Sequence, residues 1–76
     1  MTAAKVANRI SQCVTLFAFT YAGKAGDVDP FNKNLFTLTY DGESVDVHSI
    51  DEVMETPFFN GKSLSEIADK IKITEW

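Results

Sequence analysis

The sequence predicts an α+β fold: an N-terminal helix, a central antiparallel β-hairpin of two strands (three if residues 14–21 are extended), and two short C-terminal helices. Three observations carry this reading. Asp41-Gly42 separates two runs of alternating apolar and polar residues, apolar residues recur at helical spacing near the N-terminus, and two Ser-x-x-Glu signatures open the last two apolar stretches. The 76 residues make one domain, residues 1–76, with no room for a second core.

Thr2 is a suitable N-cap. From Ala3 onward, Val6, Ile10, Cys13, Val14, Phe17 and Tyr21 recur three and four residues apart, painting one apolar stripe. Gly23 stands where a helix would end in a left-handed residue, so one long helix is expected. The competing reading is a buried strand over residues 14–21, which are rich in β-branched and aromatic residues. Lys24 to Asn34 reads as a loop, with Gly26, Pro30 and several acid and amide turn formers, held to the core by Phe31.

Asp41-Gly42 suits a two-residue turn, which sets Leu38 opposite Val45 and Phe36 opposite Val47. These four then share a buried face, while Thr37, Thr39, Ser44, Asp46 and His48 share a wet one. Ser49-x-x-Glu52 and Ser63-x-x-Glu66 are capping boxes for the two short helices, whose apolar sides are Ile50, Val53 and Met54, then Leu64, Ile67, Ala68 and Ile71. Between them Phe58-Phe59-Asn60-Gly61 is a turn with two aromatic anchors, and Ile73 and Trp76 finish the chain.

The net charge of −4 is unevenly spread: residues 1–26 contain no acid, whereas all eleven acids fall in residues 27–76. Lys5 and Arg9 ahead of an apolar run have the order of an export signal, but Ser11, Gln12, Thr15 and Thr20 dilute that run. It is also far short of a membrane span, so no membrane role is expected. A single cysteine fits a reducing compartment, and the expected location is the cytoplasm.

No motif for chemistry survives inspection. One cysteine and one histidine are too few for a closed zinc site. Asp27 to Asn34 alternates oxygen ligands as a calcium loop does, yet Phe31 and Asn32 replace a ligand and the required glycine. Gly61-Lys62-Ser63 precedes a helix but lacks the upstream glycine of a phosphate loop. Cys13 and His48 are expected in different environments, so no catalytic residues, no cofactor and no metal are assigned and the chain is not expected to be an enzyme.

Residues 62–75 resemble the first helix and turn of a helix-turn-helix unit, without the recognition helix that would read bases. With an acidic balance around it, a nucleic-acid-binding accessory role is disfavoured. The remaining reading is a small acidic, non-catalytic protein-binding module of inhibitor or adaptor type. Its acidic patch (Asp41, Glu43, Asp46, Asp51, Glu52 and Glu55) would meet a protein partner with a basic surface. Phage-encoded inhibitors of host systems, including anti-CRISPR proteins and DNA mimics, share this size and charge by analogy only. An alternative is an assembly subunit that forms a homo-oligomer through Phe58, Phe59 and Trp76.

Overall fold

The computed structural model describes residues 2–12 and 15–76. Helix α1 (Ala3–Ser11) is followed by strands β1 (Phe17–Tyr21), β2 (Lys24–Asn32), β3 (Leu35–Tyr40) and β4 (Glu43–Val47). Helices α2 (Ile50–Glu55) and α3 (Leu64–Ile67) then lead to strand β5 (Lys72–Glu75). The strands form one antiparallel sheet in the order β4-β3-β2-β1-β5. This overturns the two- or three-stranded expectation: the hairpin is one edge of a five-stranded sheet.

The single long helix is the first correction. Thr2 does cap α1, its hydroxyl accepting from the Lys5 backbone N–H, but the helix ends at Ser11. Phe17 and Tyr21 are four residues apart, a spacing that satisfies a helix and a strand alike. Phe19 discriminates, because in a helix it would stand on the far side from Phe17. In β1, Phe17, Phe19 and Tyr21 point to one face and Ala18 and Thr20 to the other, and Phe17 and Phe19 are fully buried. Cys13 and Val14, which the stripe also included, lie outside the described residues.

The second correction is that Lys24–Asn32 is a strand, not a loop. Its inward positions are Gly26, Val28 and Pro30, paired with Tyr40, Leu38 and Phe36 of β3. Gly26 has low strand propensity, but the Phe19 and Tyr40 rings lie directly over it and supply the surface that a side chain would. Pro30 is tolerated because β1 has already ended, its last pair being Phe17 with Val28. The register shifts between Pro30 and Asn32, leaving Phe31 as the extra residue of a bulge. Phe31 is 61% exposed, so it does not anchor this segment to the core.

The Asp41-Gly42 hairpin has the expected register, Phe36 with Val47 and Leu38 with Val45. Both turn residues have positive φ, and the Ala22-Gly23 and Asn60-Gly61 turns repeat that conformation. Phe36, Leu38 and Val47 are buried, but Val45 is 37% exposed because it lies on the edge strand.

All three helices cover one face of the sheet. Val6 and Ile10 of α1, Val53 and Met54 of α2, and Leu64 and Ile67 of α3 join the inward sheet residues in a single core. Ser49 and Ser63 cap α2 and α3, each accepting from the N–H three residues on. Glu66 completes the second box by accepting from the Ser63 N–H at 3.0 Å, whereas Glu52 accepts from the His48 N–H at 2.8 Å. After α3 the chain returns as β5 beside β1, with Phe19 opposite Ile73. The helix-turn-helix likeness therefore ends at α3, since a strand follows it where a recognition helix would stand.

Candidate functional site

Strand alternation decides what the uncovered face of the sheet presents. Across β1 to β4 one row runs Ala18, Asp27, Thr39, Ser44, and the next runs Asp29, Thr37, Asp46. Three carboxylates from these strands thus stand among small hydroxylated side chains, on the face opposite the helices. Lys72 of β5, opposite Thr20, brings a cation to the far edge of the same face.

The electrostatics of this face follow from its geometry. Thr37 Oγ1 donates to Asp46 Oδ1 at 2.8 Å across the β3–β4 pair, orienting that carboxylate. Asp27 lies further in, on a central strand, and partial burial raises its pKa above the ordinary carboxylate value. The Thr39 hydroxyl pulls it down and the neighbouring Asp29 charge pushes it up again. Because folding favours protonated Asp27, its contribution is present below the unfolded pKa and is lost as pH rises through the folded one. Asp27→Asn is therefore expected to raise thermal stability at pH 7, by less than about 1 kcal/mol on so open a face. The gain should vanish near pH 3, and thermal melts of both proteins across that range check the sign.

The structure does not gather the six acids assigned from sequence onto one surface. Asp46 belongs to the uncovered sheet face. Asp41, at the β3–β4 turn, is paired with Lys24 Nζ at 3.0 Å, an exposed bridge that also raises the lysine's pKa, first through the hydrogen bond and then through the charge. Glu43 faces the other way, opposite Tyr40. Asp51, Glu52 and Glu55 lie on α2, across the molecule from the uncovered face, where Glu52 caps the helix and Glu55 accepts from Ser65 Oγ at 2.9 Å. Asp27 and Asp29 were missed because their segment reads as a loop. The alternation of Ala25, Asp27 and Asp29 with Gly26, Val28 and Pro30 is the signal that marks them.

The aromatic trio is likewise divided. Phe59 is fully enclosed, with its ring edge-to-face against Phe19, Tyr40 and Phe58 at centroid distances of 5.5–5.7 Å. Phe58 is half-buried against the same core. Trp76 is 52% exposed and meets Phe17 edge-on. Self-association through these three as one patch loses its basis.

Two of the clefts in the molecule adjoin α1. One of about 310 Å³ is lined by Ser11, Lys33, Phe36 and Ile50 and is mainly apolar. The other, of about 210 Å³, lies between α1 and Trp76. Among the described residues no three Asp, Glu, His or Cys side chains converge as a metal site would require. Among the same residues, no helix is long and apolar enough to cross a membrane. Comparison of the chain with family models, with curated proteins and with solved structures finds no significant match in any of the three.

Proposed function

We propose that this chain is a small acidic, non-catalytic protein-binding module of inhibitor or adaptor type, acting in the cytoplasm. Its contact surface is the uncovered face of the sheet, and its partner presents a basic surface. One observation carries the reading: strand register sets Asp27, Asp29 and Asp46 on the same face of the sheet, among threonine and serine. Strand pairing fixes their spacing in advance, so little conformational freedom is lost when a partner docks. Negative potential over such a face would govern the rate of encounter and the choice of partner.

The test is capture of a partner from lysate of the native host by the immobilised protein, repeated with two variants. Asp29→Lys/Asp46→Lys should reduce capture about tenfold or more, because like charges would meet across the interface. Asp51→Lys, on the helical side, should capture as the wild type does. Unchanged capture by the double variant, with its circular dichroism intact, would remove the acidic face from consideration.

A further inference from the structure

The second cleft carries an inference independent of the acidic face. Lys5 stands three and four residues before Asn8 and Arg9 on α1, these stand four and three before the C-cap Gln12, and with Trp76 the four line the cleft of about 210 Å³. Two cations and two amides therefore stand on one helix face, within the 26-residue stretch that contains no acid.

Arg9 supplies the second observation. It is only 7% exposed, and its Nη2 donates to Thr15 Oγ1 and to the main-chain oxygen of Trp76. Its guanidinium carbon lies 5.6 Å from the centre of the Trp76 ring. Nη1, by contrast, is closed off from solvent and has no hydrogen-bond partner among the described residues. A buried donor on a charged group seldom goes unmatched, because its desolvation is then uncompensated. Arginine also offers its N–H groups in a fork suited to tetrahedral and planar oxyanions.

We propose that this cleft binds a small phosphoryl oxyanion, either free phosphate or the phosphate group of a metabolite small enough for the space. The half-exposed Trp76 indole swings aside, Arg9 Nη1 donates to one oxygen, and Lys5 Nζ with the Asn8 and Gln12 amides meets the others. Charge-assisted bonds in this partly enclosed place are stronger than their counterparts in open water.

Trp76 is the only tryptophan in the sequence, so its fluorescence reports directly on the site. Inorganic phosphate and glycerol 3-phosphate are each titrated against chloride at matched ionic strength, with the arginine side-chain N–H signals followed by NMR. A saturable change with either probe, absent with chloride, is the expected result, and the tighter of the two identifies the source of the phosphoryl group. Lys5→Met, at an exposed position, should weaken binding about fivefold without altering the melting temperature. Arg9→Lys should abolish saturation. The proposal is overturned if neither probe acts beyond chloride, or if Lys5→Met binds as tightly as the wild type.

Discussion

Phe59→Ala is expected to lower the unfolding free energy by about 3–5 kcal/mol, the range for removing an enclosed phenyl ring. Phe59 has no solvent exposure, and three aromatic rings meet it edge-on. Phe19 and Tyr40 approach from the sheet, while Phe58 precedes it in the chain, so the ring joins the helical layer to the strands. The cavity left by alanine cannot close by a local shift, because Phe19 is also held by Phe17. A domain of this size has only about 4–11 kcal/mol in total, so the variant should be partly unfolded or should melt far below the wild type. Urea denaturation followed by circular dichroism measures the loss. A loss under about 1 kcal/mol would mean that the Phe59 ring does not join the helical layer to the strands.

Gly26→Ala is expected to destabilise by about 1–3 kcal/mol, although alanine generally suits a strand better than glycine does. A Cβ at residue 26 would lie 2.9 Å from Cε2 and Cζ of Phe19 and 3.1 Å from Cδ1 of Tyr40. A flexible surface side chain would yield to such an intrusion. These rings cannot, because both are buried and both are braced by Phe59. The smaller entropy of an unfolded chain with alanine offsets only part of the strain. The Tyr40 hydroxyl, which donates to the Tyr21 carbonyl at 2.8 Å, would have to lengthen or break that bond if the ring moved. Equilibrium unfolding of the variant gives the magnitude, and an equal or higher stability would contradict the close contact.

Local chemistry was legible in the sequence and long-range pairing was not. The hairpin register and the serine caps depend on residues within a few positions of one another, and they stand as read. The identity of β1 hung on Phe19, since Phe17 and Tyr21 fit both periods. β2 was hidden for a different reason. Gly26, Asp27, Asp29 and Pro30 are poor strand formers, and the force that makes them a strand comes from Phe19 and Tyr40 on the neighbouring strands. β5 was not read from the sequence, where Ile73 and Trp76 only finish the chain after the stripe of Leu64, Ile67, Ala68 and Ile71. The acids followed the same division. Asp46 could be placed on its face from a known turn, while Asp27 and Asp29 could be placed only once their strand was known. Distance along the chain misled in the other direction too, since Asp51, Glu52 and Glu55 are near Asp46 in sequence but on the far side of the sheet.

The position of β5 beside β1 has a kinetic consequence. Strands β1 to β4 form a meander in which each strand pairs with its predecessor through a turn of a few residues. Such neighbours find each other within microseconds, at small entropic expense. The pairing of Phe19 with Ile73 instead closes a loop more than fifty residues long, after two helices have been laid over the meander. Topology therefore makes the β1–β5 ladder the slow, late step of assembly. Until that step is complete, β1 is an open edge with Phe17 and Phe19 along it, and this interval is when the chain is most exposed to mispairing with its own copies.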